Sequence, residues 1–462
     1  MINIDPKKEK ILILLFLSVF FCATLTLAFL SNGTYESGDS IQHFLISKYS
    51  FKHPHLFLDH WGKPVFTLLS SPFSQFGFIG ICFFNILCAT ITGYLSYLTA
   101  KKLNLGFSWL APLFSLMAPI YYVTLISGLT EPLFGLVLLL SVYLFISEKY
   151  FIGSVIVSFL PFVRSEGFIL LPLFGIVLLL KRSYKNIPML ALGTFIYSIV
   201  GLFFLNDFLW IIHQNPYKDV HEIYGNGSLF HFINKNEFIL GTPLVILFLL
   251  GCFSVTNKKV SSEYLILVLG SWFLVLFFHS FVWWKGIFGS LGLIRVIAGV
   301  TPLAGIIALS GLSIIHKLIK KKIVFNIFLS AIIILVLVHP FKQHEFPRQL
   351  NYEEVVVKQS ADWIKQNKLQ NGTQFYMFPY YSVFMDIDPF DDSKTGNAWN
   401  INTVRSKNII LWDNHFFPNE GKLSLNKFQD TTDFELLTQF KADPTKTPST
   451  KQLFEVYIYR KK

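Results

Sequence analysis

The chain has 462 residues, 53% of them hydrophobic and 15% charged, with 50 Phe and a formal net charge of +11. Soluble domains carry roughly a quarter charged residues, so an ordinary soluble protein is excluded. Residues 1–340 hold 23 Lys and Arg against 13 Asp and Glu, while residues 341–462 hold 16 against 15. A basic excess confined to the apolar part argues against a nucleic-acid partner and reads as membrane topology.

Apolar runs occur at 11–30, 77–99, 107–126, 132–147, 151–163, 167–180, 187–210, 238–256, 263–281, 293–314 and 323–339. Their lengths suit spanning helices, about eleven in all. The basic start MINIDPKKEK precedes a run longer than a signal-peptide core, without an A-x-A-like site, so an uncleaved first helix is expected. The pair 151–163 and 167–180 is short for two spans, and one long helix is the alternative. Charge decides between them. With the N-terminus in the cytoplasm and two spans at 151–180, inside loops hold 15 of the 23 basic residues and outside loops 8. Fusing the pair would put KRSYK outside and spoil this bias.

Residues 341–462 lack such runs. The stretch 351–367 has helical spacing, and QFYMFPYY, NIILWDNHF and LFEVYIYR read as strands around a loop, DPFDDSKTGN. The fold expected is a polytopic α-helical membrane bundle over 1–340, with an extracytoplasmic α/β domain over 341–462. Cys22, Cys82, Cys88 and Cys252 all fall in apolar runs and read as small buried hydrophobes.

Polar groups concentrate at 36–63, ESGDSIQHFLISKYSFKHPHLFLDHWGK. Glu36, Asp39 and His43 are spaced to share one face of a surface helix, and Asp39 suits its N-cap. A lone loop acid is usually just solvated, but here His53, His55, Asp59, His60 and Lys63 follow closely. Arg164 and Glu166 interrupt an apolar stretch; they are either a locally paired turn or an anion-binding arginine with its orienting acid. Glu131 opens a helix, where it balances the helix dipole. Trp283 and Trp284 suit an interfacial belt; Lys285 and Arg295 follow, and Arg295 is either snorkelling or holding phosphate. The Asp39 and His43 pair leaves a divalent cation, Mg or Mn, open without tight ligand spacing. No Walker A, GxGxxG, HExxH or nucleophile elbow occurs.

In their order and sidedness these features resemble the GT-C superfamily of membrane glycosyltransferases. The residues that carry the likeness are Glu36-Ser-Gly-Asp39 with His43, the R-x-E-G turn at Arg164, the WGKP at Trp61 and the WKG stretch before Arg295. The chain looks most similar to bacterial family 39-type mannosyltransferases and aminoarabinose transferases. One departure is Ser40, which follows Asp39 where the family often has a second acid. The resemblance implies transfer of a sugar from a polyprenyl-phosphate donor to a hydroxyl of a glycan, glycolipid or protein, with inversion. It implies Asp39 as general base with Glu36 beside it. His43, His53, Lys63, Arg164, Glu166, Lys285 and Arg295 would hold substrate, and the site would lie on the outer face of a bacterial inner membrane, among its lipids. A transporter or flippase of lipid-linked glycans is the competing expectation.

Overall fold

The computed structural model describes residues 5–216, 225–253, 260–396, 398, 400, 403–430, 432–449 and 452–462. Lys218, Asp219, Glu222, Lys258 and Lys259, which entered the charge argument, lie outside the described residues. Among the described residues, six helices are long and apolar enough to cross a membrane: Lys7–Leu30, Phe78–Lys102, Tyr184–Leu205, Tyr264–Lys285, Ile294–Leu318 and Lys322–Gln343. Glu131–Ile146, Tyr150–Val163, Gly167–Leu180 and Thr242–Phe253 are shorter apolar helices. The remaining apolar segment is broken into Ser108–Leu110, Ala111–Leu116 and Pro119–Thr124. Its break falls where Ala118 turns extended before Pro119, the conformation a following proline favours. Among the described residues each of the eleven apolar segments contributes helix, and the chain is a multi-pass membrane protein.

The short pair forms two helices rather than one. Arg164 adopts extended backbone and ends the first of them. The chain then doubles back so tightly that a Cβ on Gly167 would lie 2.4 Å from the Pro161 nitrogen. This irregular backbone is tolerated because it faces a cavity within the protein. Most of Ile294–Leu318 is buried, and it packs against Thr242–Phe253 and Ala111–Leu116.

Helix Ser37–Tyr49 lies between the bundle and the C-terminal residues. It buries Ile41, Phe44 and Leu45, and Ser47 and Ser50 pair with Ser70 and Ser71 at 2.8 and 2.7 Å. Beyond Gln343 comes helix Tyr352–Gln366, started by a capping box in which Asn351 and Glu354 satisfy each other's backbone amides. A four-stranded sheet follows: β1 (Gln374–Tyr376), β2 (Ile409–Asp413), β3 (Phe434–Lys441) and β4 (Glu455–Lys461), in the order β1-β2-β4-β3. β1 and β2 are parallel, and the other pairs are antiparallel.

Two expectations are corrected here. QFYMFPYY is a strand only over its first three residues, because Pro379 opens helix Pro379–Met385. β3 was not anticipated. It is a largely exposed edge strand with an irregularity between Leu436 and Thr438, so its side chains keep no clean alternation.

The sheet domain is fastened to the loop after Ser37–Tyr49. Asp388 accepts from Lys52 at 2.8 Å and lies 2.9 Å from His53 Nε2, and the amides of Asn32 and Gly33 donate to Arg348 O. The opposite end of the bundle is basic. Lys101 pairs with Glu9 and Lys181 with Glu263, and Lys102, Lys181 and Lys317 edge a second cavity of about 830 Å³.

Candidate active site

A cavity of about 450 Å³ opens where four parts of the chain meet: helix Ser37–Tyr49 with the turn after it, the turn at 164–166, the end of Tyr264–Lys285, and the segment 288–296. Its polar lining includes Asp39, His43, Lys63, Arg164, Glu166 and Arg295. Phe168, Ile169, Phe278 and Val282 form an apolar wall.

Local chemistry places each group. Asp39 is in the first turn of its helix, one turn before His43. The turn before Glu131–Ile146 is braced from two sides. Asn85 donates to Ser127 O and Leu129 O at 2.7 and 2.9 Å, and the Gly128 amide donates to Ser40 Oγ at 2.8 Å. Lys63 lies in left-handed backbone just before helix Pro64–Ser74. Asp59 accepts from the Gly62 amide at 2.7 Å and shapes that turn. His60 lies 2.8 Å from Ile211 O, four residues before the lining residue Asn215, and His231 lies 2.8 Å from Gly292 O, between the lining residues Leu291 and Leu293.

The charges form one alternating chain. Asp39 pairs with Arg295, whose Nη1 is 2.9 Å from Glu131 Oε1. The same Glu131 oxygen is 2.7 Å from Arg164 Nη1, and Arg164 Nη2 is 2.8 Å from Glu166 Oε1. Thr130 Oγ1 accepts from Arg164 at 3.0 Å. His279 Nε2 ends the chain 3.3 Å from Glu166, without the alignment of a hydrogen bond. Glu131 is fully buried, and Arg164 and Arg295 nearly so. Burial alone would raise the Glu166 carboxyl; Arg164 and His279 outweigh it and hold Glu166 well below the usual carboxylate range. Burial, then the charge of Lys63, pushes the His43 imidazole down to about 3, so it is neutral near pH 7.

Of the residues anticipated, Asp39, His43, Lys63, Arg164, Glu166 and Arg295 line this one cavity. Three differ from expectation. Glu36 is not on the helical face; it precedes the helix in left-handed backbone and occupies the N-cap position expected for Asp39. His53 turns away to Asp388 of the C-terminal domain, because the chain leaves the helix before reaching it. Lys285 is exposed and stacks 3.8 Å over the Trp284 ring. Sequence reasoning missed Thr130, His279, Trp61 and Asn215 as lining, and took Glu131 for a dipole partner alone. The available signals were an acid at the very start of an apolar run for Glu131 and a histidine inside one for His279.

A divalent cation does not fit. Among the described residues no group of three His, Cys, Asp or Glu could hold a metal. Asp39 is already paired with Arg295, and Arg164 and Lys63 line the same cavity and would repel a cation.

The position of His53 makes a prediction. His53→Ala is expected to leave turnover within about twofold of wild type, since His53 contacts Asp388, which keeps its bond to Lys52, and does not line the cavity. Activity in membranes of a complemented strain measures this, and a tenfold loss would return His53 to the site.

The chain is a polytopic membrane protein with a small C-terminal sheet domain, and it shares its fold with solved structures of two other proteins. The chain is similar to ArnT from Cupriavidus metallidurans bound to undecaprenyl phosphate, with a TM-score of 0.58 and 11% identity over 98% of both chains. It is also similar to the arabinofuranosyltransferase AftD from Mycobacteria, with a TM-score of 0.52 and 12% identity over 96% of this chain and 40% of AftD. No family model and no curated protein matches the chain by sequence.

Proposed function

We propose that the protein is a glycosyltransferase that moves a sugar from a polyprenyl-phosphate donor to an acceptor hydroxyl. The observation that carries this reading is the charge chain itself. Two buried arginines and a lysine face a cavity that also holds a carboxylate and has an apolar wall. Guanidinium groups suit the phosphate of a lipid-linked sugar, and the wall suits the start of its hydrocarbon chain. The undecaprenyl phosphate bound by ArnT supports the same donor class.

Asp39 is the general base. It pairs with Arg295, reaches the cavity, and takes the proton of the acceptor hydroxyl as that oxygen attacks the anomeric carbon. Arg164, Arg295 and Lys63 bind the phosphate and stabilise the charge that grows on it. His43 supplies a neutral ring, with Nδ1 unpartnered, to a sugar hydroxyl. One displacement by the acceptor inverts the anomeric centre. The charge bias supports an orientation in a bacterial inner membrane with the basic loops and N-terminus on the cytoplasmic side and the cavity and C-terminal domain outside. The acceptor is a hydroxyl of a glycan, glycolipid or protein.

The test is lipid and glycan profiling of a deletion strain complemented with wild type or Asp39→Asn. Wild type is expected to restore the missing glycoconjugate. Asp39→Asn is expected to reach the membrane normally and transfer about 10²–10⁴-fold more slowly. Full restoration by Asp39→Asn would remove Asp39 as base, and an unchanged glycan profile in the deletion strain would remove the transferase reading.

A further inference from the structure

We propose that proton transfer to Asp39 passes Arg295 from Asp39 to the departing phosphate, so that the two events are coupled. The inference rests on the transferase reading above. Three observations carry it. Arg295 is nearly buried and its Nη1 is anchored on the fully buried Glu131, so the guanidinium cannot swing out to water. Its Nη2 contacts Asp39, which is partly exposed and faces the cavity. Its Nε is buried and has no hydrogen-bond partner among the described residues. Arg295 therefore meets the cavity through the atom that Asp39 occupies.

The step balances as follows. The acceptor oxygen bonds to the anomeric carbon, and its proton goes to the Asp39 carboxylate. The bond from the anomeric carbon to the phosphate oxygen breaks, and its electron pair stays on phosphate. A phosphodiester with one negative charge becomes a monoester that carries one more. Asp39 loses one negative charge in the same step. Arg295 exchanges one counter-ion for another, and no buried charge is left unpaired, a situation that is strongly unfavourable in a low-dielectric interior. Before the proton moves, Asp39 competes with phosphate for Arg295. This limits product binding in the resting protein and favours release once Asp39 gives up its proton.

The consequence is opposite to that of an ordinary binding-site lesion. Asp39→Asn mimics the neutral carboxyl and should bind the product-like lipid more tightly than wild type. The experiment measures undecaprenyl phosphate binding to purified full-length protein in detergent, for wild type, Asp39→Asn, Asp39→Ser and Asp39→Asn with Arg295→Gln. Thermal unfolding of each shows that it is folded, and Asp39→Ser stands in if the Asn variant is not. About tenfold tighter binding by the neutral variants, lost when Arg295→Gln is added, is the expected result. Neutral variants that bind no tighter than a binding-competent wild type would overturn the coupling alone. Wild type that does not bind the lipid would instead remove the transferase reading on which it rests.

Discussion

Glu131→Ala is expected to destabilise the protein by about 3–5 kcal/mol, the range found when one partner of a buried ion pair is removed. Glu131 is fully buried, and one of its oxygens serves both Arg164 and Arg295. Without it, two guanidinium groups remain in the bundle with only Asp39 and Glu166 to balance them. Glu131→Gln keeps the shape and an acceptor but not the charge, and should fall between alanine and wild type. Adding Arg164→Met, Arg295→Met, Asp39→Asn and Glu166→Gln to Glu131→Ala should recover much of the stability while leaving no activity, because neutral groups then replace every member of the buried charge chain and no charge is left without its partner. Thermal unfolding in detergent, followed by tryptophan fluorescence, measures all three. A Glu131→Ala protein as stable as wild type would show that the alternating chain does not hold the bundle together here.

The second large effect is expected at a residue with no side chain. Gly128 touches the helix that carries Asp39: a Cβ there would lie 2.1 Å from Ser40 O, which is backbone and cannot rotate away. Gly128→Ala must therefore push helix Ser37–Tyr49 and its supporting turn apart by roughly an ångström, with about 1–3 kcal/mol of strain. Asp39 moves with its helix, and a misplacement of that size costs about 100-fold in rate. The shift also breaks the bond from the Gly128 amide to Ser40 Oγ. Transfer assays on the variant, normalised to the amount of folded protein, check this. A rate within twofold of wild type would mean that the cavity tolerates movement of Asp39.

The helical segments were legible because lipid demands long apolar runs, and a stretch such as 78–102 has no other way to satisfy its backbone. The doubling back at Arg164 was legible through the basic residues that follow it. Asp39, His43, Lys63, Arg164, Glu166 and Arg295 were legible as polar groups that an apolar chain does not place idly. His53 and Lys285 looked equivalent, because sequence proximity to the same motifs does not say which way a chain turns. The route after Tyr49 carries His53 to Asp388, and the end of the Tyr264–Lys285 helix leaves Lys285 over Trp284. β3 was hidden because an exposed edge strand buries too little to impose an alternating pattern.

By itself, then, the sequence determined a multi-pass helical membrane protein, its C-terminal α/β unit, and the polar residues from which a site could be built. Each of these follows from solvent preference, which is written residue by residue. Only the tertiary structure decided that Asp39, Arg295, Glu131, Arg164 and Glu166 form one alternating chain around one cavity. That arrangement joins residues up to 256 positions apart. It exists because buried charges must find opposite partners across helices, and no local pattern records which partner each will find.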